Sequence, residues 1–281
     1  MALWWWVGCG LVISEGEKGE HPDPEFLDTG SLVTPGSGDD TGLPIGGPRT
    51  DAFVVAVDSP IDVLFVIDDS ANMLSYQQAL AAELPRYFAF FEGAEVDHHL
   101  GVVTTDVDTV QTAGVLRDVD GLRYVDALTP DPADALASLV LGGTHGSENE
   151  RGLAAAFLAL GTAPPPENAG FRRPDAGLHV VVLSNDDDAS RPEDLPTVGF
   201  GAWFDAIEGG FARSFSSLVP FTDAGFDTRG TAYLAVTAFA GGQTMDLNDP
   251  DWREVVTDLA VLHGGLTPTY FLRQVSTDVL R

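Results

Sequence analysis

The chain has 281 residues, 44% of them hydrophobic, and a formal net charge of -29 from 43 acidic against 14 Lys and Arg residues. This length and apolar fraction are typical of a globular protein with one large or two small domains and exclude a wholly disordered chain. The acidic balance argues against sequence-independent binding to nucleic acid, which needs basic residues to neutralise phosphates, and against an anionic membrane surface as a partner.

The first nine residues form a short apolar segment that ends in Cys9, the single cysteine of the chain. One cysteine excludes an internal disulfide and a cysteine-based zinc site. The Val-Gly-Cys sequence at its end resembles the lipobox that is cleaved and acylated in bacterial lipoproteins, so we interpret residues 1–9 as a lipoprotein signal remnant. No Lys or Arg precedes Cys9 and the apolar run is short for a signal peptide, which a start codon upstream of Met1 would explain. The alternative is an apolar start with a chance cysteine.

Residues 10–50 are rich in Gly, Pro, Thr, Ser and acidic side chains and contain few apolar ones. Such a segment buries too little surface to offset the entropy of ordering it, so we expect a flexible acidic linker. The folded domain is predicted to span residues 51–281. A linker of this kind suits an exported lipoprotein that is anchored at the outer membrane or on the periplasmic face of the envelope.

The folded part opens with an apolar run at 63–67, rich in β-branched residues, which is typical of a strand buried on both faces of a parallel sheet. Ser147 and Glu150 match the capping-box pattern at the start of a later helix. Strands are predicted at 63–67, 99–105, 178–183, 231–239 and 269–275, helices at 74–91, 130–139, 147–160, within 203–218 and at 250–262, and an edge hairpin within 110–125. Strands that alternate with helices indicate an α/β fold with a doubly wound, mostly parallel central sheet flanked by helices.

Oxygen-bearing side chains follow the first strand at alternate positions: the carboxylate of Asp68, the hydroxyl of Ser70 and the amide of Asn72. Ligands of open α/β sheets bind beyond the carboxyl ends of strands, and hard divalent cations take several oxygen ligands. The strand at 178–183 also ends in an acidic cluster, at 184–188. The sequence therefore predicts a metal site at the exit of the first strand.

These features together resemble the von Willebrand factor A (vWA) domain, over about residues 51–275. In that family the metal-ion-dependent adhesion site (MIDAS) combines a D-x-S-x-S loop, a Thr from a later loop and an Asp after the fourth strand. A closer likeness is to bacterial exported vWA-containing lipoproteins, which share Gly101-Val-Val-Thr-Thr-Asp106 and Phe171-Arg-Arg-Pro-Asp-Ala176. The resemblance implies a metal site formed by Asp68, Ser70, Asn72, Thr144, Asn185 and Asp186.

Two of these positions depart from the family pattern. Asn72 stands where the family has a second Ser, and it still offers a side-chain oxygen. Asn185 stands where the family has its Asp, which removes a negative charge from the site. Asp186 takes over that place if the loop is shifted by one residue. Because hard cations draw affinity from ligand charge, we expect weaker cation binding than in a site with the complete motif.

The resemblance implies a non-enzymatic adhesion or binding module of the bacterial cell envelope, with Mg²⁺, Mn²⁺ or Ca²⁺ as its cofactor. The ion would accept a Glu or Asp carboxylate from a protein partner, and contact with the membrane would occur only through a lipid anchor at Cys9. The alternative is a structural vWA domain of the envelope with a degenerate, metal-free site.

An enzyme of the haloacid-dehalogenase type is the other alternative, because such phosphohydrolases also place a nucleophilic Asp at the end of an apolar strand. Their Asp-x-Asp signature supplies a second carboxylate as the general acid. Here Ser70 occupies that second position, so the acid is missing. The sequence also lacks the Gly-x-Ser-x-Gly elbow of serine hydrolases and the Walker phosphate loop.

Overall fold

The computed structural model describes residues 60–207 and 212–264, without the side chains of 92–94. Cys9, the predicted linker and the predicted strand at 269–275 lie outside the described residues. The strands of the described part are β1 (Ile61–Ile67), β2 (His98–Thr104), β3 (Tyr124–Asp126), β4 (Gly177–Leu183), β5 (Arg213–Val219) and β6 (Thr244–Asp246). The helices are α1 (Leu74–Ala94), α2 (Pro132–Val140), α3 (Gly152–Leu160), α4 (Phe200–Ala206), α5 (Thr231–Ala240) and α6 (Trp252–His263).

The six strands form one sheet in the order β3-β2-β1-β4-β5-β6, in which β3 alone runs antiparallel to its neighbour. Its two faces carry separate apolar cores because successive side chains of a strand point to opposite sides. Val63, Phe65 and Ile67 of β1 pack in the core with α1, α2 and α6, whereas Leu64 and Val66 pack in the core with α3, α4 and α5. Helices on both faces of a mostly parallel sheet confirm the predicted doubly wound α/β fold.

The register of the central strands brings their carboxyl ends to one level. Ile67 at the end of β1 lies opposite Thr104 at the end of β2 and Leu183 at the end of β4. The loops that leave these three strands are therefore neighbours at one edge of the sheet. None of the described helices is long and apolar enough to cross a membrane.

Two adjacent predictions were wrong because a helix and a strand were exchanged. Residues 231–239, predicted as a strand, belong to α5, in which Tyr233, Val236 and Thr237 are buried on one helical face. In the segment 203–218, which was predicted to contain a helix, α4 covers residues 203–206, and the strand β5 occupies residues from 213 onwards. Its serines are not typical of a buried strand, and the buried Ser217 hydroxyl forms its hydrogen bond with the hydroxyl of Thr237 on α5, at 2.6 Å.

Two smaller predictions also differ from the structure. The segment predicted as an edge hairpin contains an isolated bridge between Val119 and Leu122, and the edge strand β3 begins only at Tyr124. Helix α3 begins at Gly152 and not near residue 147, so the predicted capping box does not form. The carboxyl group of Glu150 consequently lies elsewhere, at the edge of the sheet where the strands end.

Candidate metal centre

Asp68 is fixed at the carboxyl end of β1 by its own backbone and by the first turn after the strand. It is fully buried, and its backbone N–H donates to the carbonyl oxygen of Leu183 on β4, at 2.9 Å. Its Oδ1 accepts a hydrogen bond from the backbone N–H of Ser70, at 2.8 Å. The strand exit thus folds back on the carboxylate, as expected for an Asp at a turn.

The end of β4 completes the shell around Asp68. The hydroxyl of Ser184 donates to Asp68 Oδ2 at 2.9 Å, and the backbone N–H of Asn185 donates to the same oxygen at 3.3 Å. The side-chain Oδ1 of Asn185 is buried and has no hydrogen-bond partner among the described residues. The structure therefore brings together Asp68 and Asn185, which the sequence places 117 residues apart.

A polar cavity of about 520 Å³ opens above this strand edge. Four of the predicted metal ligands line it: Ser70, Asn72, Asn185 and Asp186. Asp68 lies buried beneath, linked to Ser70 and Asn185 by the hydrogen bonds described above. The remaining lining residues are Ala71, Ser75, Tyr76, Glu148, Glu150, Gly225, Phe226 and Asp227.

Thr144 lies in the loop between α2 and α3, partly buried, and is not among the described residues that line this cavity. The loop is held beside Asp69, because the backbone N–H of Gly146 donates to the Asp69 carbonyl oxygen at 2.8 Å. The fully buried Gln77 of α1 clamps the loop to the strand exit. Its Nε2 donates to the carbonyl oxygens of Asp68 and Gly143, at 2.8 and 2.9 Å, and its Oε1 accepts from the Gly143 N–H.

Glu150 is a residue of this site that sequence reasoning missed. Only 2% of it is exposed, it lines the cavity, and its carboxyl group lies against that of Asp68. Its Oε2 accepts a hydrogen bond from the hydroxyl of Thr105, while its Oε1 finds no partner in the described part of the chain. The sequence contains no signal for this position, because the two polar residues directly before it are exposed and Ser147 and Glu150 match a capping box.

Burial dominates the electrostatics of these carboxyl groups. Burial, together with the charge of Asp68, raises the pKa of Glu150 to about 9, and burial also raises the pKa of Asp68. The pKa of Asp69 is raised to about 6 by burial and by the charges of Asp106 and Asp68. Two adjacent buried carboxyl groups disfavour each other's ionised form, which is the cause of part of the rise in the pKa of Glu150.

The donor atoms of the site fit a hard divalent cation. They are carboxylate, hydroxyl and amide oxygens, and two of them, Glu150 Oε1 and Asn185 Oδ1, are buried without partners. Across the described residues, no group of three or more His, Cys, Asp or Glu side chains is placed to hold a metal ion. A cation here would therefore depend on the hydroxyl and amide oxygens as well as on the carboxylates.

The strand order, the helices on both faces and the Asp68 exit loop are features in which this α/β domain resembles the vWA fold. No protein-family model matches the sequence, and no curated protein matches it. Solved structures that it resembles include a von Willebrand factor type A protein from Catenulispora acidiphila, which is 19% identical, with 71% of this chain and 42% of that chain covered and a TM-score of 0.39.

Two further similarities are at 11% identity. Proximal thread matrix protein 1 from the mussel byssus aligns with 74% of this chain and 48% of its own, at a TM-score of 0.41. The pilus adhesin SpaC from Lactobacillus rhamnosus GG aligns with 74% of this chain and 30% of its own, at a TM-score of 0.43. The chain spans less than half of the length of each of these three proteins, and the likenesses describe the fold only.

Proposed function

We propose that this domain is a non-enzymatic, divalent-cation-dependent binding or adhesion module of the bacterial cell envelope, which presents a MIDAS-like site to a carboxylate of a protein partner. The observation that carries the proposal is the polar cavity at the carboxyl edge of the sheet. Ser70, Asn72, Asn185 and Asp186 line it directly above the buried carboxylate of Asp68.

The proposal follows from the chemistry of this donor set. Asp68, Ser70, Asn72, Asn185 and Asp186 would hold the cation, with Mg²⁺, Mn²⁺ and Ca²⁺ as the ions that prefer oxygen ligands. A bound cation supplies an open coordination position that a Glu or Asp side chain of the partner can fill. The cavity is open and polar on its outer side, so a side chain of the partner can enter it.

A non-enzymatic role is supported by the state of the carboxylate itself. Both oxygens of Asp68 accept hydrogen bonds, from Ser70 on one side and from Ser184 and Asn185 on the other. A phosphohydrolase of the dehalogenase type carries a second carboxylate two residues after its nucleophile, and Ser70 stands at that position. We therefore favour a binding function over a catalytic one.

The central experiment measures the melting temperature of the full chain with and without Mg²⁺, Mn²⁺ or Ca²⁺. A cation that binds only the folded state raises the melting temperature, and Asp68→Asn should abolish the rise. Asp205→Asn, which removes an exposed carboxylate on α4, is the control and should keep it. No rise with any of the three cations would favour the structural, metal-free alternative.

The envelope location is tested separately. An exported lipoprotein anchored through Cys9 should fractionate with membranes after expression in a bacterial host, and Cys9→Ser should release it to the soluble fraction. Equal distribution of the two variants would remove the anchor from the proposal without affecting the cation site.

A further inference from the structure

Capping of helix α3 does not explain why the carboxyl group of Glu150 is buried. A residue just before a helix normally serves the first free N–H groups of that helix. In α3 these groups are already bound: Gly152 N–H donates to the Tyr233 hydroxyl, Leu153 N–H to Asp188 Oδ1 and Ala154 N–H to Ser190 Oγ. Glu150 is therefore not needed as a cap.

No basic side chain neutralises Glu150 either. The neighbouring Arg151 directs its guanidinium to Asp108 and Asp194. The ion pairs found in the described part of the chain leave out Glu150 and Asp68. Burying a charged carboxyl group without a counter-charge is costly, and a bound cation is one explanation for a buried acid whose oxygen has no partner among the described residues.

We infer that Glu150 is a ligand of the cation site and supplies the negative charge that Asn185 fails to supply. The inference rests on the proposed function, since it assigns a residue to the same site. The Thr105 hydroxyl holds Oε2, so that the carboxyl group is fixed in direction and Oε1 is left for the ion. Glu150 and Asn185 line the same cavity, and Glu150 Oε1 and Asn185 Oδ1 are both buried without a hydrogen-bond partner among the described residues.

The charge count agrees with this assignment. Asp68 and Glu150 are the buried carboxyl groups among the proposed ligands, and together they carry two negative charges when both are ionised, which balances one divalent cation. Asp186, whose Oδ1 accepts a hydrogen bond from the Thr228 hydroxyl, would add a third charge at the wall of the cavity. Affinity of oxygen sites for hard cations rises with the number of charged ligands. The site is therefore complete in charge although it departs from the family motif at residue 185.

The test is calorimetric titration of the full chain with Mn²⁺. The wild-type chain is compared with Glu150→Gln, with the double variant Glu150→Gln/Asn185→Asp, and with Glu193→Gln as a control that removes an exposed carboxylate. Glu150→Gln should weaken Mn²⁺ binding by at least about 10–100-fold, the range seen when supporting groups of metal sites are lost. The double variant should recover most of the affinity, and Glu193→Gln should bind like the wild type.

The possible outcomes distinguish a failure of this inference from a failure of the proposed function. Unchanged affinity in Glu150→Gln overturns the inference and leaves the proposed function standing. Weak binding that Asn185→Asp does not restore overturns the charge replacement. A wild-type chain that binds none of Mn²⁺, Mg²⁺ and Ca²⁺ overturns both. If Glu150→Gln fails to fold, Glu150→Asp keeps the charge on a shorter side chain and should still lower the affinity.

Discussion

Strand β1 carries two buried aspartates on one face, Asp62 near its start and Asp68 just beyond its end, and their surroundings are opposite. Asp62 accepts hydrogen bonds from the backbone N–H and the Nε of Arg173, at 2.6 and 2.8 Å. Arg172 and His99 lie within 4 Å of the same carboxylate, at 3.7 and 3.9 Å. Asp68 has hydroxyl and amide donors and a second carboxyl group beside it.

The two aspartates differ in their counter-charge. The protein itself supplies one to Asp62, whereas the ion pairs of the described residues include none for Asp68. Burial raises the pKa of both aspartates, but at Asp62 the charge and hydrogen bonds of Arg173 oppose the rise, whereas at Asp68 only neutral donors do. A folded chain tolerates the first arrangement without any addition. In the proposed function a cation would favour the ionised form of Asp68, so that the same residue type would serve stability at one end of the strand and binding at the other.

The largest effect is expected from removing the counter-charge of Asp62. Arg173→Ala removes the main counter-charge of Asp62 and should lower the free energy of unfolding by about 3–5 kcal/mol, measured by urea denaturation. Arg86→Ala is the control, because it removes an exposed ion pair with Glu83 and should cost less than about 1 kcal/mol. Equal losses in the two variants would contradict the contrast drawn for Asp62.

A second pair of variants should change stability in opposite directions. In cation-free buffer, Asp62→Asn loses a charged acceptor of Arg173 and should cost about 2–3 kcal/mol. Glu150→Gln in the same buffer replaces one of two crowded carboxyl groups by a neutral amide that can donate to Asp68. It should leave stability unchanged or raise it by up to about 1 kcal/mol. Urea denaturation in the presence of a chelator checks both, and a clear loss in Glu150→Gln would assign that residue a structural role.

The buried histidines provide a third case, in which ionisable groups are kept neutral. Burial lowers the pKa of His179 to about 4 and that of His263 well below its usual value, while Ser214 and Tyr87 hold their Nδ1 atoms at 2.8 and 2.6 Å. A lowered folded pKa means that stability is present above pH 6.5 and is lost as the pH falls towards 4.

For His179 alone the loss between pH 7 and pH 5 should be about 2 kcal/mol, from about 1.4 kcal/mol per pKa unit. Urea denaturation at the two pH values measures it. His179→Asn removes this titration, so its stability should fall less over the same interval. A variant with the same pH dependence as the wild type would show that His179 is not responsible.

The smallest effect is expected at Asp188, a carboxylate that accepts hydrogen bonds from neighbouring parts of the fold. Asp188 accepts hydrogen bonds from the Leu153 N–H and the Ser190 hydroxyl at the start of α3, at 3.0 and 2.9 Å. Asp188→Ala should cost about 1 kcal/mol, as for other lost helix caps, and Asp188→Asn should cost less because it keeps an acceptor. Neither should change Mn²⁺ affinity; a loss of affinity would place Asp188 in the cation site.

The sequence predicted the parts of the site that depend on strand ends. Asp68 and Asn185 each follow an apolar run of β-branched residues, and parallel strands bring such ends together whatever the rest of the chain does. Glu150 was not predictable in this way, since Ser147 and Glu150 are three residues apart and match a capping box. Which groups cap α3 is decided by Asp188 and Tyr233, 35 and 81 residues distant from their partners.

The fold class was predictable for the same reason, and the exchange of β5 with α5 marks the limit of sequence patterns. The run at 231–239 is apolar enough for a buried strand or a buried helix, and its length does not decide between them. The serines of β5 are poor strand signals on their own. They become suitable only because Thr237 and His179 satisfy their hydroxyl groups, which is tertiary information.

Gln77 has a consequence for the kinetics of recognition. One buried amide joins the Asp68 backbone to Gly143, so the exit loop of β1 and the loop before α3 are ordered when the protein folds. Neither loop then has to be ordered by an arriving partner, and the entropy of that step does not subtract from the affinity. If the proposed function holds, association with the partner should accordingly proceed in a single step without a slow ordering phase.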